Sequence, residues 1–330
     1  PVFRWSSTSQ SSLTWYTINP GTCGNRAMRH FGVVAPVLAV VVGVVMICQS
    51  GTSEVGQPFD GAQGRPSTGQ DPVGANDIRP SGQAIRPSGQ DGQVYGGLPV
   101  SLEKESRYVL LDNLGFDVGY SEYRQNPVWV GYMVGPDTVE GGGARPQRFS
   151  TDARTESRVA HRDYTRTGYD RGHLAPNHAI ATRYGRKAQL ETFMMSNIVP
   201  QRPALNRQVW QRIEALEADR WSSSLGGVWV ITGPVFDRDR EFLKQSQPRI
   251  EIPDAFFKVI VDEVEDTRSG TVGPRVLAFI VEQDVQGDEM PVEFLVSVDW
   301  IEERTGLDLM PDLNDEIEVP LEAGVADSVW

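Results

Sequence analysis

The chain has 330 residues, 39% of them apolar, which is enough for one or two domains with a sizeable core. Its formal net charge is −13, a sum that by itself argues against a polyanionic partner. Cys23 and Cys48 are its only cysteines, so thiolate zinc centres, cysteine nucleophiles and structural disulfides are excluded from everything after residue 48.

Residues 32–46 are apolar and uncharged, and Arg26, Arg29 and His30 precede them. This order predicts a signal peptide or signal anchor within residues 1–50, with Met28 as a natural start for its positive head. The uncharged stretch from Phe31 to Cys48 spans 18 residues, a marginal membrane crossing and the basis for expecting membrane attachment. Ile47 sits where a lipid-attachment cysteine needs a small residue before it, which argues against lipidation at Cys48. The chain beyond residue 50 is expected to be exported: periplasmic, secreted, or anchored and facing away from the cytoplasm. Residues 51–94 are rich in Gly, Pro, Ser, Gln and Asp and repeat IRPSGQ at 78–83 and 85–90. Such a composition buries too little apolar area to offset ordering entropy, so a disordered linker is expected.

Folded patterning begins near Tyr95 and predicts one domain over 95–330. Residues 108–111, 128–134, 228–236 and 276–281 read as strands. Helices are expected from about Leu205 to Trp221, more weakly over 184–194, and over 298–305 ending before Gly306. Strands and helices do not alternate regularly, which points to an α+β domain with a largely antiparallel sheet. Charge is uneven along it. Residues 141–220 carry 14 basic side chains, 13 of them Arg, against 8 acidic ones, whereas residues 251–330 carry 4 basic and 21 acidic. Arginine forks match phosphate oxygens, although an arginine-rich solvated surface is the plainer reading of the charge alone. The acidic stretch reads most simply as a solubilising surface, with cation binding or a cationic partner as alternatives.

Histidine is scarce: His30, His161, His173 and His178. His173 lies in Tyr169-Asp170-Arg171-Gly172-His173-Leu174-Ala175-Pro176. It is followed by Ser196-Asn197-Ile198-Val199-Pro200-Gln201, then Leu205-Asn206-Arg207 and Trp210-Gln211-Arg212-Ile213-Glu214. Phosphodiester hydrolysis needs an activated water, neutralised charge at phosphorus and help for the leaving oxygen. His173 can take a proton from water near neutral pH. Asn206 can offer a neutral oxygen to a hard cation such as Mg²⁺, which needs few protein ligands. Glu214 is eight residues on, two ideal turns plus roughly 80°, so both can address one side of a helix. Arg148 and Arg171 can hold phosphate oxygens. Taken singly, each has a bland alternative: a structural histidine, a helix-capping asparagine, a solvated glutamate.

Together these segments resemble the DNA/RNA non-specific endonuclease family. Its D-R-G-H motif is met by Asp170-Arg171-Gly172-His173. Its S-N-x-x-P-Q segment is met by Ser196, Asn197, Pro200 and Gln201. Its L-N-x-x-x-W-x-x-L-E helix is met by Leu205, Asn206, Trp210 and Glu214, with Ile213 replacing Leu. The resemblance covers roughly 95–315. It implies a ββα-metal (His-Me finger) nuclease fold with a mainly antiparallel sheet and flanking helices. By position it implies that His173 is the general base and that Asn206 is the sole direct protein ligand of Mg²⁺ (or Mn²⁺). Glu214 would orient metal-bound waters and Arg171 would support the site. Arg148 would stabilise the transition state, with Arg154 as its rival. The partners implied are DNA and RNA substrates and a homodimer, and the products would carry 5′-phosphate ends. One departure stands out: Ala218 occupies a position where family members often carry arginine, and Arg220 is the nearby substitute. His178 is a competing base. Two other readings remain open, a membrane-tethered nucleic-acid-binding module without turnover and a hydrolase of small phosphodiesters.

Overall fold

A computed structural model describes residues 92–139, 143–244, 246–265, 267 and 270–330. All of them fall within one unit of the chain, residues 75–330. The expected signal or anchor region and most of the expected linker lie outside the described residues. No described helix is long and apolar enough to cross a membrane.

The strands, in chain order, are β1 (Val100–Ser101), β2 (Val109–Asn113), β3 (Phe116–Ser121), β4 (Asn126–Val134), β5 (Asp170–His173), β6 (Ile198–Gln201), β7 (Val228–Val235), β8 (Ala255–Glu265), β9 (Val272–Glu282), β10 (Leu295–Val296) and β11 (Leu307–Asp308). The longer helices are α1 (Asn177–Glu191), α2 (residues 203–224), α3 (Val298–Thr305) and α4 (Asp315–Ala323). Seven strands form one antiparallel sheet in the order β10-β9-β8-β7-β4-β3-β2. Each strand expected from the sequence is present in it. So are β8 and β10, which no strand expectation covered.

The central strands β4, β7 and β8 are buried on both faces, because both faces of the sheet are covered. On one face Val130, Tyr132, Val228, Val230, Phe256, Ile260 and Phe279 pack against Leu205, Val209, Trp210 and Ile213 of α2. On the other, Trp229, Ile231, Phe257 and Val259 pack against Val298 and Ile301 of α3, with Leu307, Met310 and Val94. Alternation along each strand divides its side chains between these two layers. Gly306, with φ of 67°, ends α3 in the left-handed conformation that glycine adopts without strain.

One ion pair lies inside the first layer. Lys258 of β8 and Glu217 of α2 are both fully buried and meet at 2.6 Å. The Tyr132 hydroxyl donates to Glu217 at 2.8 Å and accepts from Lys258 at 3.1 Å. The ammonium also lies 4.8 Å from the Trp210 ring centroid. This polar peg fixes α2 on the sheet at a set rotation.

Candidate active site

The site is built on a two-stranded hairpin laid beside the main sheet. β5 pairs antiparallel with β6, with His173 opposite Ile198 and Asp170 opposite Gln201. α1 fills the connection, and α2 follows β6 directly, giving a strand–strand–helix unit. Gly172 is required here, because a Cβ at that position would collide with the Gln201 side chain. Asn197 ties the turn. Its amide donates to the carbonyls of Ala175 and Thr192, and its oxygen accepts from the Ala175 N–H.

α2 is one helical rod whose regular turns alternate with wider π turns at Leu205–Trp210 and Leu216–Trp221. A π turn rotates less per residue, which trims the offset expected between Asn206 and Glu214 on an ideal helix. Both side chains line one cleft together with His173, Arg145, Asn177, His178, Arg207, Gln211 and Ala218. The cleft encloses about 360 Å³. Three residues that the sequence placed in one mechanism therefore meet in space.

His173 is 8% exposed, and its Nε2 is buried without a hydrogen-bond partner among the described residues. The Phe193 and Phe149 rings pack on it at centroid distances of 4.9 and 5.3 Å. Burial, and then the Arg145 cation, push its imidazole down to about 3. The ring is therefore neutral at ordinary pH, so that one of its two nitrogens can accept a proton. Asn206 is oriented by Asp170: its amide nitrogen donates to Asp170 at 3.0 Å, which leaves the amide oxygen on the opposite side as a free ligand atom. Asp170 is in turn held by a two-pronged Arg207 at 2.8 and 2.7 Å. The sequence pattern alone assigned Asp170 no role of its own, although it opens the D-R-G-H motif. Glu214 is half-buried, and burial pushes its carboxyl up to about 8 against the opposing pull of Lys258.

The arginines sort differently from expectation. Arg148 is exposed and does not line the cleft. Arg145, three residues earlier, does line it, with its guanidinium 5.6 Å from the Phe193 centroid. Arg154 is committed elsewhere, gripping Asp152 and donating to Asn113 and the Asp112 carbonyl. Arg171 also lies outside the lining. It donates to the His161 carbonyl at 3.1 and 2.6 Å and to Thr165, and so braces the loop beside the hairpin. Arg220 does not line the cleft where Ala218 does. His178 lines it but is solvent-facing and paired with Asp219 at 3.4 Å.

The pattern of the family described as DNA/RNA non-specific endonuclease matches residues 99–316. The nuclease of Serratia marcescens is 31% identical over 202 residues, covering 59% of this chain and 72% of that protein. Human mitochondrial endonuclease G is 29% identical over 231 residues, covering 66% and 72%. The mitochondrial nuclease of Saccharomyces cerevisiae is 30% identical over 207 residues, covering 58% and 62%. Among solved structures, EndoG in the crystal structure of the EndoG/EndoGI complex superposes with a TM-score of 0.54. It is 23% identical and covers 63% of this chain and 88% of that one. The expected α+β, ββα-metal fold holds.

Proposed function

The chain belongs to the DNA/RNA non-specific endonuclease family, and from that membership we propose a sequence-nonspecific, divalent-cation-dependent endonuclease that cleaves DNA and RNA. That it is a nuclease, and so a hydrolase, follows from the family itself. The observation that carries the finer reading is the convergence of His173, Asn206, Glu214 and Arg145 on one cleft.

His173 is the general base. A water in the cleft gives up a proton to the unprotonated nitrogen of the imidazole while the water oxygen bonds to phosphorus. The bond from phosphorus to the 3′-oxygen breaks, leaving a 5′-phosphate, and the 3′-oxygen takes a proton from solvent. The buried, neutral ring is ready to accept, and an anionic phosphate nearby raises its basicity as reaction begins. Arg145 holds the phosphate oxygens. Of the two guanidinium groups lining the cleft, Arg207 is engaged by Asp170, whereas Arg145 has only its contact with the Phe193 ring among the described residues. Arg171 supports the hairpin from outside the cleft, and Arg148 is left to more distant backbone phosphates.

The donor set fits a hard dication. Asn206 presents a free neutral oxygen, and the Glu214 carboxyl, raised by burial, faces the same space and would be drawn back to its ionised form by a cation. Mg²⁺, or Mn²⁺, held by Asn206 with its waters oriented by Glu214, would neutralise the phosphate and the leaving oxygen. Phosphate contacts carry no sequence information, which is why specificity is low. Export and membrane attachment through residues 1–50, and a homodimer, belong to the same proposal.

The test is a metal titration of plasmid cleavage. Asn206→Ala should raise the Mg²⁺ concentration for half-maximal rate by about tenfold or more. An unchanged requirement would remove Asn206 as the ligand.

A further inference from the structure

The cleft uses none of the acidic excess in residues 251–330. Part of that excess gathers where α4 packs on α3, on the face of the sheet away from α2. Asp299 and Glu302 are three residues apart on α3 and so share a face. Glu322 reaches them from α4, and one carboxylate oxygen from each of the three lies within 4.8 Å of the others. None of the three lines the cleft.

Glu322 sets this cluster apart from ordinary surface acid. It is only 6% exposed, and its Oε1 is buried without a hydrogen-bond partner among the described residues. A carboxylate in that position needs a counter-charge or a donor. Neither is supplied: Asp299, Glu302 and Glu322 take part in no ion pair among the described residues. Glu302 is meanwhile held in place, accepting the Leu309 N–H at 2.8 Å through Oε1 and leaving its second oxygen available. The neighbouring Asp308 and Glu318 add negative field to the same spot.

We propose that Asp299, Glu302 and Glu322 bind a calcium ion that clamps α4 onto α3. Oxygens on opposite sides of Ca²⁺, each at about 2.4 Å, stand about 4.8 Å apart, so the spacing of the three carboxylates suits one ion. Water completes the six to eight ligands that Ca²⁺ accepts, whereas Mg²⁺ demands a tighter octahedron and gives up its waters reluctantly. The ion is structural: it neutralises a buried carboxylate and ties the last helix to the domain without touching the nuclease chemistry.

The experiment is calorimetric titration of CaCl₂ into the chelator-treated full chain carrying Asn206→Ala, so that the cleft contributes no binding. The same titration is run with Glu322→Gln or Asp299→Asn added. The expected result is one Ca²⁺ per chain, weakened at least tenfold by either added change. At a hundredfold excess over the parent Kd, Ca²⁺ should also raise Tm by roughly 5–10 °C, and by no more than about half as much in either variant. Glu322→Gln in the otherwise natural chain should keep its Mg²⁺-dependent nuclease activity. Absence of Ca²⁺ binding in the Asn206→Ala chain, or equal binding in folded Glu322→Gln and Asp299→Asn chains, would overturn the proposal.

Discussion

Burial and the Arg145 cation keep the His173 imidazole neutral, the form that the proposed general-base role requires. The folded imidazole is depressed from 6.5 to about 3, so between those values the unfolded chain binds a proton that the native chain does not. His173 therefore leaves stability intact above pH 6.5 and lowers it as pH falls toward 3, by up to roughly 4–5 kcal/mol. Thermal unfolding across that range should show a shallower pH dependence in His173→Gln; an unchanged slope would contradict the burial argument. In the active enzyme the same depression puts the acid limb of kcat/KM below 6.5. At pH 7 a second substitution separates two neighbours: Arg145→Ala should lower kcat/KM on DNA by about 10²-fold, and Arg148→Ala by only a few-fold. The reverse order would return the phosphate contact to Arg148. His173, Asn206 and Glu214 were legible in the sequence because their spacing is set by a hairpin and a helix. The sequence pointed to Arg148 and Arg154 and not to Arg145, because all three lie in an irregular segment where no period dictates direction.

At the scale of elements, α2 is tied to the sheet by the polar peg beneath it. Lys258→Met leaves Glu217 charged, buried and without its cation, and should cost about 3–5 kcal/mol in denaturant unfolding. Adding Glu217→Leu should recover much of that loss, since an apolar pair of similar volume removes both desolvated charges. A single variant as stable as the parent would show that the peg is idle. This peg also explains why β8 escaped detection in the sequence. β8 contains Lys258, Asp262, Glu263 and Glu265, and those charges break the apolar pattern that marks β7. β5 and β6, at four residues each, are too short for periodicity to reveal and emerge only through the motif they carry. α3 was legible to the residue because Gly306 punctuates it. α1 begins at Asn177, earlier than expected, and its periodicity is interrupted at Gly185, where the backbone leaves helical angles.

At the scale of the whole molecule, the net charge of −13 misleads because charge is segregated along the chain. Arg145 and Arg207 line the cleft and Arg171 braces the hairpin, while carboxylates of the C-terminal region include the α3–α4 cluster on the opposite face of the sheet. A polyanion held through phosphate contacts releases counterions, so kcat/KM on plasmid should fall roughly tenfold or more between about 50 and 200 mM monovalent salt. Indifference to salt would instead favour small phosphodiesters as substrates. The most direct measurement is cleavage of plasmid DNA and of structured RNA by the full chain, with Mg²⁺ and with excess chelator, beside His173→Ala. The account predicts Mg²⁺-dependent degradation of both polymers, abolished by chelator and lowered roughly 10²–10⁴-fold in a folded His173→Ala chain. Cleavage that survives either chelator or the substitution would contradict it.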